Sequence, residues 1–437
     1  MTTLKITPAK LGGSVCAPSS KSMGHREIIC AGLSDGTSIV DNISMSADME
    51  ATLRCLEALG ISFQQVPSSR ADRTAFAISG SGRVWAARSA VDCGESGSTL
   101  RFMIPLGALC GAPLTFTGHG KLVTRPLQAY YDIFDRQGLH YTTAAKGYLP
   151  LTVNGVLQSG AYELPGNVSS QFISGLLFAL PLLEGDSVLE ITSGLESQSY
   201  VDLTLSCLAK YGITIEHENY YKYHIRGGQR YRGGRSMVEG DWSQAAFWLV
   251  AGTLGRQITC TGLHTASLQG DRVVAGIISR MGGKITSDAE GNYTALPAPT
   301  KGVVIDAADC PDIIPVLTVL AAVSEGTTEI INAGRLRIKE CDRLAAMTSE
   351  LNKLGAAVTE LPDGLLIKGR PEGLRGGCVD AWNDHRIAMS LAVASLVCRE
   401  AVVISGSECV QKSYPEFWQD FAALGGNIET VGMGEGI

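Results

Sequence analysis

At 437 residues the chain is too long for one ordinary hydrophobic core, so two domains are expected. A composition of 45% hydrophobic and 18% charged residues excludes a disordered chain, and a net charge of −7 excludes sequence-independent nucleic-acid binding, which needs a basic face. It does not exclude an anionic small molecule, because a local cationic cluster can oppose the overall sign. The 12 cysteines are scattered, with no CxxC pair and no Cys/His spacing suited to zinc, which predicts reduced thiols in a cytoplasmic protein. The longest apolar runs, such as the one from Ile313 to Val323, are too short to span a bilayer, and the N-terminus has no signal-like apolar core.

In chain order, one unit recurs six times. An amphipathic helical pattern runs into a glycine and then into a short β-like stretch. The glycines are Gly60, Gly138, Gly212, Gly282, Gly355 and Gly425, spaced by 70 to 78 residues. Each fits the left-handed position that ends a helix. Every unit also holds a second, apolar helix, with Ser20 or Ser22, Ser98, Ser169, Asp241, Asp312 and Asp384 as its expected N-terminal caps. Strand-like runs lie between, for example Thr37 to Val40 and Ala401 to Ile404. The unit therefore reads as two strand–helix pairs plus an extra strand. Midway, residues 226–235 are glycine-rich, basic and aperiodic, which predicts a hinge or crossover between two three-unit domains. The cleft between such domains is the natural place for a ligand.

Polar residues recur at equivalent helix starts. Residues 335–343 carry three arginines, a lysine and two carboxylates just ahead of a helical pattern. Cations there add to the repulsion of the helix dipole unless an anion sits among them. Arg343 stands 12 residues before Gly355, Arg125 stands 13 before Gly138, Asp48 12 before Gly60, Tyr200 12 before Gly212 and Tyr414 11 before Gly425. A surface charge cluster does not explain that repetition. Further groups suited to phosphate or hydroxyl recognition are Lys21, Ser22 and Arg26 in the first unit, Gly97 to Arg101 in the second, and Ser169, Ser170 and Gln171 in the third. Asp312 and Glu340 lie beside cationic clusters and suit a general base and a general acid.

In this order, and with Ser197 to Tyr200, Asn383 to Arg386 and Lys412, the motifs resemble those of the enolpyruvyl transferases, in particular members whose acceptor is shikimate 3-phosphate. The resemblance implies an α/β fold of two similar domains, each three βαβαββ units around a pseudo-threefold axis, an inside-out α/β barrel. It implies a division into 20–234 and 1–19 plus 235–437, with the active site in the interdomain cleft. It also implies transfer of the enolpyruvyl group of phosphoenolpyruvate to the 5-hydroxyl of shikimate 3-phosphate through a tetrahedral intermediate. Carried over, Lys21, Ser22, Arg26, Ser169, Ser170, Gln171, Ser197, Asp312 and Lys339 are expected to contact shikimate 3-phosphate. Lys21, Gly97, Arg125, Gln171, Arg343, Arg386 and Lys412 are expected to contact phosphoenolpyruvate. Asp312, Glu340 and Lys21 are the expected catalytic groups. The resemblance implies no metal or organic cofactor, no nucleic-acid or membrane partner, and a monomer.

Two positions depart from a common family pattern: Glu95 stands where asparagine is frequent, and Arg335 where some members use an asparagine ligand. The relative whose acceptor is UDP-N-acetylglucosamine carries a cysteine where this chain has Gly120. Closure of the two domains around shikimate 3-phosphate is a further expectation, because cations from both halves must meet.

Overall fold

The computed structural model describes residues 2–70 and 73–431. The chain divides into two compact units, 19–239 and 1–18 with 240–437. Each is a three-repeat α/β structure with one continuous hydrophobic core.

In the unit 19–239 the helices are α1 (Lys21–Leu33), α2 (Ala47–Ala58), α3 (Gly97–Gly107), α4 (Gln128–Gln137), α5 (Ser170–Ala179) and α6 (Gln198–Lys210). In the other they are α7 (Trp242–Leu254), α8 (Val274–Arg280), α9 (Ile314–Ala322), α10 (Arg343–Lys353), α11 (His385–Ala394) and α12 (Phe417–Ala423). Odd-numbered helices are the apolar ones of the sequence pattern. Every residue of α9 and of α11 is buried, and α7, α9 and α11 pack against one another. Even-numbered helices are amphipathic and present a polar face to solvent, as their mixed burial shows. The apolar helices thus lie inside, with the sheets around them.

Each repeat closes one sheet with the same strand order. In the second repeat, Ala90–Asp92 runs parallel to Leu114–Thr117, which pairs antiparallel with Leu151–Asn154, which pairs antiparallel with His140–Thr143. This is the βαβαββ unit. Three sheets recruit strands from distant parts of the chain. Thr3–Thr7 lies between Val402–Ser405 and Asn427–Val431, and Gly13–Cys16 runs parallel to Ile258–Thr261. The segment read as a hinge or crossover contributes Tyr231–Arg232 and, at its edge, Arg235–Met237. Both run parallel to Ser34–Ile43, because that first-repeat strand has a hydrogen-bonding edge to fill.

All six repeat glycines have positive φ, from 64° at Gly138 to 101° at Gly425. Gly138 shows why: it caps α4 in the left-handed region and its N–H returns to the last-turn carbonyls, a geometry that costs other residues a Cβ clash. The caps at the other end correct two expectations. α3 begins at Gly97 and is capped by Ser96, whose hydroxyl accepts from the Thr99 N–H at 3.2 Å, so Ser98 lies inside the helix and is free to meet Gln171. α9 begins at Ile314 behind the 3₁₀ turn Pro311–Ile313, and the Asp312 carboxylate is drawn to cations instead of to helix N–H groups. Ser20, Ser169, Asp241 and Asp384 cap as expected.

Candidate active site

The helix starts of the unit 19–239 bring their polar residues together. Lys21 is the first residue of α1, and its Nζ donates to Asp48 Oδ2 of α2 at 2.8 Å. The Thr99 hydroxyl of α3 bonds that of Thr52 at 2.7 Å and donates to the Asp48 carbonyl at 3.4 Å. Arg26, one turn along α1, is buried and reaches α6: Nε donates to Thr204 Oγ1 at 2.8 Å and Nη2 to the Tyr200 carbonyl at 2.9 Å. Burial brings the Arg26 guanidinium down to about 10, which leaves it charged at neutral pH. Ser197, fully buried and left-handed at φ 54°, opens α6.

Gln171, in the first turn of α5, ties α5 to α3. Its Nε2 donates to Ser98 Oγ at 2.8 Å and its Oε1 accepts from Arg101 Nη1 at 2.7 Å. The Arg101 guanidinium stacks 4.8 Å from the Phe172 ring centroid. Arg125 is buried just ahead of α4, close enough to Gly97 that a Cβ there would stand 2.3 Å from its Nη1. Ser169 caps α5 and Ser170 is buried beside it. Lys21, Ser22, Gly97, Arg125, Ser169, Ser170, Gln171 and Ser197 therefore stand at or just ahead of helix starts of this unit, where unsatisfied N–H groups favour anions, and Arg26 lies one turn inside α1.

The other unit holds a denser cluster. Arg343, the first residue of α10, is fully buried. Its Nη1 donates to Asp312 Oδ1 at 2.9 Å and its Nη2 to Glu340 Oε2 at 2.8 Å. Its Nε donates to Asp384 Oδ2 at 2.8 Å. Arg386, in the first turn of α11, donates from Nη2 to Asp312 Oδ2 at 3.1 Å and to Ser243 Oγ at 2.9 Å. Lys339 Nζ lies 3.5 Å from Asp312 Oδ1. Lys412 Nζ donates to the Asn383 carbonyl at 2.8 Å. Asp342 caps α10, with its Oδ1 accepting from the N–H groups of Leu344 and Ala345 at 3.1 Å. That cap supplies negative charge at a helix start which the cations would otherwise oppose.

Burial works to raise the Asp312 carboxyl, but Arg386, Lys339 and Arg343 outweigh it and hold it well below the usual carboxylate range. Burial brings the Lys339 ammonium down to about 8 against the pull of Asp312, with Arg343 and Arg335 acting in the same direction as burial. Lys339, Arg343 and Arg386 face Asp312, Glu340 and Asp384, so charges in this cluster balance without a ligand. An arriving anion upsets that balance and favours proton uptake by a carboxylate, a property suited to a general acid.

Three residues inside the sequence motifs take roles that the motifs do not assign to them. Asp48, a helix-start residue by spacing, holds Lys21. Asp384 caps α11, yet its carboxylate also orients Arg343. Arg101 holds Gln171, and its spacing four residues after Gly97, on the same helix face, was the available signal. Equivalent polar residues also scatter in register. Arg343 opens α10, whereas Arg125 and Tyr414 lie three residues before α4 and α12.

The family model of EPSP synthase (3-phosphoshikimate 1-carboxyvinyltransferase) matches residues 6–421. A 3-phosphoshikimate 1-carboxyvinyltransferase of Clostridium kluyveri is 52% identical over 432 residues, covering 99% of both chains. That of Clostridium acetobutylicum is 50% identical over 435 residues, covering 100% of both. Among solved structures, an EPSP synthase from Acinetobacter baumannii superposes with a TM-score of 0.83 at 26% identity, covering 99% of this chain and 100% of that one. With the match spanning nearly the whole chain at this identity, the chain belongs to the EPSP synthase family.

Proposed function

We infer that the chain transfers the enolpyruvyl group of phosphoenolpyruvate to the 5-hydroxyl of shikimate 3-phosphate and releases phosphate, a step of aromatic amino-acid biosynthesis. The observation that carries this reading is the Asp312 carboxylate set among Lys339, Arg343 and Arg386 at 3.5, 2.9 and 3.1 Å, with Glu340 on the same arginine.

In the addition step the 5-hydroxyl oxygen bonds to C2 of phosphoenolpyruvate, the hydroxyl proton passes to a base, and C3 takes a proton to become a methyl group. In the elimination step the methyl returns a proton and the bond from C2 to the phosphate oxygen breaks. Asp312 serves as the base for the hydroxyl, and Glu340 delivers the proton to C3. Lys21 offsets charge on the departing phosphate. Arg125, Arg343, Arg386 and Lys412, with Gly97 and Gln171, hold phosphoenolpyruvate, since arginine forks suit both its phosphate and its carboxylate. Ser22, Arg26, Ser169, Ser170, Gln171, Ser197 and Lys339 hold shikimate 3-phosphate alongside Lys21 and Asp312. When the anion takes Arg343 and Arg386, Asp312 loses two of the cations that hold its carboxyl low and becomes a stronger base. The reading calls for no metal or organic cofactor, because proton transfer and charge stabilisation are the whole of the chemistry asked of the protein.

The reading includes a monomer in the cytoplasm. All 12 cysteines are free thiols, and among the described residues no helix is long and apolar enough to cross a membrane. The test is phosphate release from phosphoenolpyruvate with shikimate 3-phosphate or UDP-N-acetylglucosamine as acceptor. Release is expected with the first alone, and release only with the sugar nucleotide overturns the assignment.

A further inference from the structure

Glu350 is a fully buried carboxylate that takes no part in the chemistry above. It lies seven residues after Arg343, two turns along the same face of α10. Its Oε1 accepts from the Trp382 indole N–H at 2.9 Å and from Ser349 Oγ at 2.9 Å. Its Oε2 accepts from the Asp380 backbone N–H at 2.9 Å, and Lys353 Nζ donates to both oxygens at 2.8 Å. Burial works to raise this carboxyl, yet the donors outweigh it and the group stays ionised at neutral pH.

The turn it grips is strained. Trp382 and Asn383 are consecutive non-glycine residues at φ 53° and 52°. Immediately beyond stands Asp384, which orients Arg343, and the Asn383 carbonyl is the acceptor of Lys412. The turn is therefore attached to α10 at two points: Asp384 to Arg343 at the start of the helix, and Asp380 with Trp382 to Glu350 two turns below. Two of the five cations assigned to phosphoenolpyruvate, Arg343 and Lys412, depend on where this turn sits.

We propose that Glu350 is a positioning residue for phosphoenolpyruvate: by holding Trp382 and Asp380 it fixes the left-handed turn that aims Arg343 through Asp384 and Lys412 through the Asn383 carbonyl. The proposal rests on the functional reading above, which gives Arg343 and Lys412 to phosphoenolpyruvate. Shikimate 3-phosphate is held chiefly by residues of other elements; Asp312, which accepts from Arg343, is the exception, so its binding is coupled to this turn more weakly than that of phosphoenolpyruvate.

The experiment is steady-state kinetics of full-length Glu350→Gln and Trp382→Phe beside the wild type, varying each substrate in turn, with thermal unfolding of each variant. Glu350→Gln keeps the shape but loses the charge and turns an NH2 group toward donors that a carboxylate oxygen had accepted, while Trp382→Phe removes the indole N–H together with part of the ring. In both, KM for phosphoenolpyruvate is expected to rise about tenfold, with KM for shikimate 3-phosphate within about twofold of wild type. A lowered unfolding temperature with KM for phosphoenolpyruvate unchanged would overturn the proposal and leave Glu350 a purely stabilising group. Equal rises in both KM values would overturn it as well. Trp382→Phe carries the test if Glu350→Gln fails to fold. The wild type in the same assay reports on the activity itself, so failure of the functional reading is told apart from failure of this one.

Discussion

Arg343 and Asp384 form a buried two-point fork, with Nε 2.8 Å from Oδ2 and Nη2 3.3 Å from Oδ1, and neither side chain is more than 1% exposed. The same Oδ1 accepts from the Arg386 N–H at 2.8 Å. One carboxylate thus fixes the plane of one guanidinium and starts the helix that carries the other.

Asp384→Asn separates these duties. Asparagine caps helices about as well as aspartate, so α11 is expected to keep its start. The fork loses its charge, and a buried arginine is left with Asp312 and Glu340 alone. Stability is expected to fall by ~2–3 kcal/mol, near the lower end for breaking a buried ion pair, because two partners remain. kcat/KM for phosphoenolpyruvate is expected to fall about 100-fold, since a guanidinium free to turn no longer matches the anion. Denaturant titration and initial rates check both figures. Wild-type kinetics in the variant would show that Arg343 needs no orienting partner.

Gly97→Ala tests the approach of Arg125. The added Cβ would stand 2.3 Å from Arg125 Nη1 and 3.7 Å from Gln171 Oε1. The clash is with the end of a long side chain, so Arg125 is expected to move aside and the fold to survive. KM for phosphoenolpyruvate is expected to rise by about tenfold or more, with kcat less affected, because binding is lost in ground state and transition state alike. An unchanged KM would remove Arg125 from the phosphoenolpyruvate site.

Arg101→Lys tests a residue that meets the substrates only through Gln171. Lysine keeps the charge but loses both the planar fork and the stacking on Phe172. Gln171 is assigned to both substrates, so both KM values are expected to rise together by about tenfold, with ~1 kcal/mol lost in stability. A rise in one KM alone would assign Gln171 to a single substrate.

What was legible in the sequence follows from how local each constraint is. A left-handed helix end demands glycine, so Gly60, Gly138, Gly212, Gly282, Gly355 and Gly425 mark the repeats wherever the chain folds. Anion recognition is confined to a few residue types, so Arg343, Arg386 and Lys339 stood out at helix starts. Strand partners are another matter. That Thr3–Thr7 completes a sheet with residues some 400 positions away depends on tertiary hydrogen bonding that no local pattern encodes. Asp312 failed as a helix cap for a similar reason. An aspartate ahead of a helix suits a cap by type, but three cations from distant segments compete for it and prevail. Asp384 hid in the opposite way, because its real capping role left no sign of the arginine it also holds.

The titration of Lys339 gives the sharpest test of the cluster. Its folded-state value of about 8 lies below the usual 10.5, so above about 8 the folded chain releases a proton that the unfolded chain keeps. The unfolded state then binds more protons, and this group's contribution to stability rises with pH between about 8 and 10.5, the reverse of a lysine stabilised by its partners. Activity has the opposite sign. The ammonium is needed to hold shikimate 3-phosphate, so kcat/KM for that substrate is expected to fall as pH rises through about 8. Lys339→Arg supplies a cation that keeps its proton across this range, and is expected to abolish that limb while lowering activity at pH 7 by about tenfold through altered reach. A pH–rate profile of wild type and variant decides the matter. An alkaline limb near 8 that persists in Lys339→Arg would mean that another group titrates there and that Lys339 is not the cation shikimate 3-phosphate requires.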